Sequence, residues 1–263
     1  MSKMKFIFFS LVMLMLLSPA KAFAAISNID KGQLENGIIT TTYVPKKNVA
    51  SKIMIAKGDV KYTYDIKDDD CYPLQLGNGK YIVSILDNVE GNKYKRIETK
   101  EIELKLADNN RVFLQSNQII NWDHSMEAIK KARELTEGIE SDEEKITEIY
   151  NFIINNISYD KDKTKNLQAG YLPSIDCILE DKKGICYDYS VLFAAMLRSL
   201  DIPAKLIMGR EKNNKNVYHA WNQVYLKDID EWVTIDTTYD AAFKNMDTVM
   251  IKDTELYIVE KQY

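Results

Sequence analysis

The chain has 263 residues, with 35 Lys and Arg against 39 Asp and Glu, a formal charge of −4. That length suffices for one large domain or two modest ones, each able to bury a core. An acidic balance without a basic block excludes a nucleic-acid partner, because nothing is left to neutralise phosphates.

The N-terminus reads as a secretory signal peptide spanning residues 1–24. Lys3 and Lys5 precede an apolar run from Phe6 to Leu17, and Ala22-Phe23-Ala24 supplies small residues for cleavage. The run is too short for a spanning helix. No cysteine stands near the cleavage site to carry a lipid, and no later stretch is long and apolar enough to span. Removing Lys3, Lys5 and Lys21 with the leader takes the formal charge from −4 to −7. The expectation is an exported or cell-wall-associated protein with no membrane contact after signal removal. Cys71, Cys177 and Cys186 are too sparse for a disulfide framework. A single Cys71–Cys177 pair and three free thiols both fit.

Residues 25–114 read as strand and turn. Gly37 to Val44 is rich in β-branched residues, and Lys52 to Ala56, Val60 to Ile66, Lys80 to Leu86 and Glu101 to Leu106 follow, punctuated by Gly, Asn and Asp. The spacing predicts a small antiparallel β-sandwich, acting as a spacer or binding module, with no catalytic constellation. Helical period takes over near residue 125. Ser125 is placed to cap a helix with Met126, Ile129, Ala132 and Leu135 on one side. Ser141-Asp142-Glu143-Glu144 is a capping box ahead of Ile146, Ile149, Tyr150 and Ile153. Residues 161–183 are polar and loop-like, suited to one wall of a cleft.

Gly184-Ile185-Cys186-Tyr187-Asp188-Tyr189-Ser190 then leads into the apolar run Val191 to Leu197, a helix ending before Pro203. Cys186 falls at its first turn, where unpaired N–H groups and the dipole favour a thiolate. Three strands follow: Lys205 to Gly209, Val217 to Leu226 and Trp232 to Thr238, the last two joined by a turn at residues 227–230. Pairing Leu226 with Glu231 sets Asp236 opposite Trp221, so that His219 and Asp236 become diagonal neighbours on one face. A cysteine nucleophile needs a base and the base an orienting acceptor, and Cys186, His219 and Asp236 supply that order. His124, the other histidine, reads as a cap or surface residue. Two distant histidines make no zinc site, so neither metal nor cofactor is expected.

Four segments carry a family resemblance: Gly184 to Tyr189, Leu200-Asp201-Ile202-Pro203-Ala204-Lys205, Tyr218-His219-Ala220-Trp221-Asn222 and Trp232 to Thr238. With Ile157-Ser158-Tyr159-Asp160 upstream, they resemble the transglutaminase-like superfamily over roughly residues 115–245. The resemblance implies an α+β, papain-like domain at 115–263, with the nucleophile at a helix N-terminus packed on an antiparallel sheet. It implies Cys186 as nucleophile, His219 as base and Asp236 as orienter, with Trp221 and Asn222 in packing roles. No acidic loop reads as the calcium sites of the longer animal enzymes. Oxyanion stabilisation falls to the Cys186 N–H and a second donor, with Tyr171 and Gln168 as candidates and Tyr187 and Trp221 as further cleft residues.

The expected activity is cysteine-dependent acyl transfer or hydrolysis at amide bonds of proteins or peptides, through a thioester. The alternatives are a cysteine peptidase or amidase acting on cell-wall peptides, and a non-catalytic cell-surface binding protein. The sequence leaves cross-linking against hydrolysis, the substrate and the oligomeric state open.

Overall fold

The computed structural model describes residues 27–67, 70–243 and 249–263. The proposed leader lies outside them. In the N-terminal half, strands β1 (Ile29–Asp30), β2 (Ile38–Thr41), β3 (Ser51–Lys57), β4 (Val60–Asp65), β5 (Tyr72–Pro73), β6 (Gly79–Glu90) and β7 (Lys93–Leu104) form two antiparallel sheets, ordered β1-β2-β5 and β4-β3-β6-β7. Alternate residues of the larger sheet point inward, among them Ile53 and Ile55, Tyr62 and Tyr64, Tyr81, Val83 and Ile85. They share one core with Ile29, Ile39 and Tyr72 of the smaller sheet.

The C-terminal half follows as α1 (Glu127–Leu135), α2 (Asp142–Asn156), β8 (Ser158–Tyr159), α3 (Lys161–Lys165), α4 (Ile175–Asp181), β9 (Lys183–Gly184), α5 (Cys186–Arg198), β10 (Ala204–Glu211), β11 (Asn214–Leu226), β12 (Glu231–Ile235), α6 (Thr237–Ala242), β13 (Ile251–Lys252) and β14 (Tyr257–Gln262). Its antiparallel sheet runs β13-β12-β11-β10-β14. Helix α5 is buried from Asp188 to Arg198, which its sequence explains: seven consecutive apolar residues leave it no polar face. Asn222 Nδ2 ties it to the sheet by donating to the Ser190 carbonyl at 2.9 Å and the Lys205 carbonyl at 3.0 Å. The α+β architecture, a β-module followed by a helix-on-sheet domain, is the one the sequence predicts.

Several local expectations are corrected. Residues 161–183 hold two short helices, α3 and α4, capped by Asp160 and Ser174, whose side chains accept first-turn N–H groups. Ser125 caps nothing; its hydroxyl turns to Asp123. The third strand of the hairpin stops at Ile235, and residues 236–238 begin α6. Cys71, Cys177 and Cys186 are all free, so the Cys71–Cys177 pair is not formed. No helix among the described residues is long and apolar enough to cross a membrane.

The two halves meet along β14. Ile119 and Tyr263 pack against both cores. The Gln262 N–H donates to the Tyr62 hydroxyl at 3.1 Å, and its side-chain amide to the Gln75 carbonyl at 2.9 Å.

Candidate active site

Cys186 is the first residue of α5, after the N-cap Ile185. First-turn N–H groups have no partner inside a helix, so its backbone presents a donor beside its own sulfur. The chain enters α5 through a tight approach: a Cβ on Gly184 would lie 2.7 Å from Asp188 Cβ, so only glycine fits. Asp188 is fully buried and satisfied on all sides. It accepts from the Ile185 N–H at 2.8 Å, the Tyr171 hydroxyl at 2.6 Å and the Lys163 ammonium at 2.6 Å. A buried carboxylate persists only when so paired. The set therefore locks α3 and the following loop against the start of α5.

His219 lies on β11, paired with Gly209 of β10, and its Nε2 is 2.7 Å from Asp236 Oδ2. Asp236 is buried at the N-cap of α6, where its Oδ1 accepts the Tyr239 N–H at 3.0 Å. The Tyr257 hydroxyl donates to Oδ2 at 3.3 Å. Below the imidazole, Trp221 stacks at 6.0 Å between ring centroids and is itself backed by Tyr257 at 4.8 Å. Burial opposes the charged imidazole, but hydrogen bonds to Asp236 and to Cys186, with the charges of both, outweigh it and lift the His219 pKa to about 10. With Nε2 taken by Asp236, Nδ1 is the nitrogen left for the thiol.

The structure thus brings Cys186, His219 and Asp236 together. It separates the other sequence candidates. Tyr187 lines the cleft at Cys186, but Tyr171 and Gln168 do not. The Tyr171 hydroxyl is committed to Asp188, and burial, with that carboxylate, raises its pKa. The Gln168 amide donates to the Asn166 carbonyl at 3.1 Å on the exposed loop. Neither is placed as an oxyanion donor. Trp221 is buried beneath the histidine rather than in the cleft wall. His124 is exposed, edge-on to Trp122.

Tyr257, Glu211 and the Lys163–Asp188 pair escape sequence reasoning. Glu211, His219 and Asp236 place one ligand atom each within 4.8 Å of one another, a set able to offer donors to a cation. His219 and Asp236 are there already hydrogen-bonded to each other. Tyr257 arrives on a strand distant in sequence, which no local pattern signals. Asp188, two residues beyond Cys186, is signalled only by an acid in the first turn of an otherwise apolar helix.

A cysteine at a helix N-terminus, facing a carboxylate-held histidine on an antiparallel sheet, defines a papain-like arrangement. Residues 129–237 match the family model of the transglutaminase-like superfamily. No curated protein matches the chain in sequence. Among solved structures, a candidate cysteine protease from Cytophaga hutchinsonii is 15% identical over 81% of this chain and 76% of its own, at a TM-score of 0.46. LapG of Legionella pneumophila, EGTA-treated, is 13% identical over 52% and 68%, at 0.38. Red sea bream transglutaminase is 12% identical over 76% and 48%, at 0.33, so this chain spans about half that enzyme's length.

Proposed function

We propose that the protein is a cysteine-dependent acyltransferase or hydrolase acting on amide bonds of peptides or proteins. Cys186 Sγ attacks the carbonyl carbon, forming a C–S bond, and the charge on oxygen is met by the Cys186 N–H. The C–N bond then breaks as His219 passes its proton to the departing amine, leaving a thioester. Water or a second amine attacks the thioester, gives its proton back to His219 and releases Cys186. Asp236 keeps the imidazole in one orientation and stabilises its charged form. The observation that carries this reading is the 2.7 Å His219–Asp236 bond on an imidazole that is also hydrogen-bonded to Cys186. With residues 1–24 as a leader, the substrates are peptides or proteins of the cell envelope.

The test is the rate of iodoacetamide labelling of Cys186 as a function of pH, in the wild type and His219→Ala. Fast labelling at mildly acidic pH, lost in the variant, is the expected result. Slow labelling with an ordinary thiol profile in both proteins would reject the enzyme and leave a binding protein.

A further inference from the structure

The cleft that holds Cys186 and His219 has a volume of about 370 Å³. Its walls come from separate parts of the chain: Tyr159 on β8, Leu167 after α3, Tyr187 on α5, Met208 on β10 and Val217 and Tyr218 on β11. Among the described residues no Asp, Glu, Lys or Arg lines it, in a chain of which 28% is charged. Lys163, beside Thr164 in sequence, is turned away to Asp188 at 2.6 Å. The one aliphatic hydroxyl in the lining, Thr164, donates to the Asp160 carbonyl at 3.0 Å. Tyr159, Leu167, Val217 and Tyr218 nonetheless remain 42–51% exposed. Four large apolar side chains kept open around one concavity, rather than scattered, mark a surface kept for a ligand.

We infer that this cleft is the specificity site for the acyl donor, and that it takes an aromatic or branched aliphatic side chain next to the scissile amide. The inference rests on the enzymatic reading and adds the substrate class to it. A charged or carboxamide-bearing neighbour entering the cleft would lose its water and meet only tyrosine hydroxyls and a His219 already held by Asp236. An apolar one releases water from both surfaces. The volume matches one large side chain with its adjoining backbone, so a small residue would leave it part-filled.

The experiment uses the full chain and a set of short peptidyl chloromethyl ketones that differ only in the side chain beside the electrophile: Phe, Leu, Gly, Asp and Lys. Second-order rates of Cys186 alkylation are read by intact mass and divided by the iodoacetamide rate of the same protein. The expected result is a preference of about 100-fold for Phe or Leu over Asp or Lys, falling below about 10-fold in Leu167→Asp or Val217→Asp. Both positions are half-exposed, so an acid there is tolerated by the fold. Equal normalised rates across the set, with iodoacetamide labelling still fast and His219-dependent, overturn the inference and leave the enzyme standing. Where iodoacetamide labelling is slow in both proteins the enzymatic reading has failed instead, and titration with an acetyl-Phe amide decides the cleft. Saturable binding weakened in Leu167→Asp supports an apolar ligand site, and absence of binding overturns it.

Discussion

At the scale of single residues, Asp236 controls the charge of the site. It is fully buried, yet its two oxygens accept the Tyr239 N–H, the Tyr257 hydroxyl and His219. Its hydrogen bond and charge, with those of Cys186, keep the imidazole protonated despite burial. His219, lifted to about 10, stays charged through neutral pH. Asp236→Asn removes the main support of that charge and leaves Cys186 alone against burial, which acts the other way. The expected outcome is a His219 ring that titrates below the wild-type value of about 10, followed through its imidazole proton resonances. The rate of amide cleavage falls by about 10²–10⁴-fold, the scale of a lost acid–base function. Stability follows the same charge. Folding raises His219 from an unfolded value near 6.5, so its contribution is complete below pH 6.5 and disappears as pH rises through about 10. Urea titrations between pH 6 and 10 are expected to show this decline in the wild type and a flatter profile in Asp236→Asn. A wild-type histidine that titrates near 6.5 would contradict the geometry.

At the scale of elements, the site depends on how β10 is flanked. Its neighbour β11 carries His219, and its other neighbour, β14, carries Tyr257 to Asp236. The β10–β14 register shifts between Met208 and Gly209, beside the Gly209–His219 pair. A Cβ on Gly209 would stand 1.9 Å from the Ile258 carbonyl oxygen and 3.0 Å from the Trp221 ring. The bulge therefore brings β14 as close as a strand can come, and only glycine admits it. Gly209→Ala is expected to push β14 outward, cost about 1–3 kcal/mol as overpacking, and loosen Tyr257 from Asp236. Thermal unfolding measures the first effect, and the His219 resonances the second. None of this closeness is legible in sequence, because β14 reaches β10 from some fifty residues away. What sequence does carry is local. The four-residue turn at 227–230 sets Leu226 opposite Glu231, so the hairpin register follows from loop length alone. The capping box at Ser141 and the apolar run after Cys186 likewise announce α2 and α5. Helices α3 and α4 are missed because five and seven residues are too few for a helical period to stand out. Asp236 is legible as a partner of His219 but misread as a strand residue. The switch from strand to helix cap depends on the Tyr239 N–H it accepts.

At the scale of the whole molecule, the two halves are joined behind the site rather than at it. Arg198, at the far end of α5 and 1% exposed, donates from Nε to the Ala204 carbonyl at 2.8 Å, from Nη1 to the Gln115 carbonyl at 2.7 Å and from Nη2 to the Tyr263 carbonyl at 3.0 Å. One guanidinium thus gathers the segment linking the halves, the start of β10 and the residue after β14. The planar fork of an arginine suits three diverging acceptors, where a lysine presents one head. Nearby, Tyr263 meets Tyr62 edge-on at 5.3 Å, so the N-terminal sheet supports the end of the strand whose other end holds Tyr257. The N-terminal module thereby acts as a buttress for β14. Arg198→Ala removes a long buried side chain and leaves three carbonyls short of a donor, a loss of about 3–5 kcal/mol in unfolding free energy. Arg198→Lys is expected to fall between the variant and the wild type. Twelve helical residues place Arg198 about 18 Å from Cys186. Iodoacetamide labelling well below the melting temperature is therefore expected to be unchanged while stability drops. Labelling that slows in Arg198→Ala at unchanged stability would instead make the joint between the halves part of the machinery that sets the thiol.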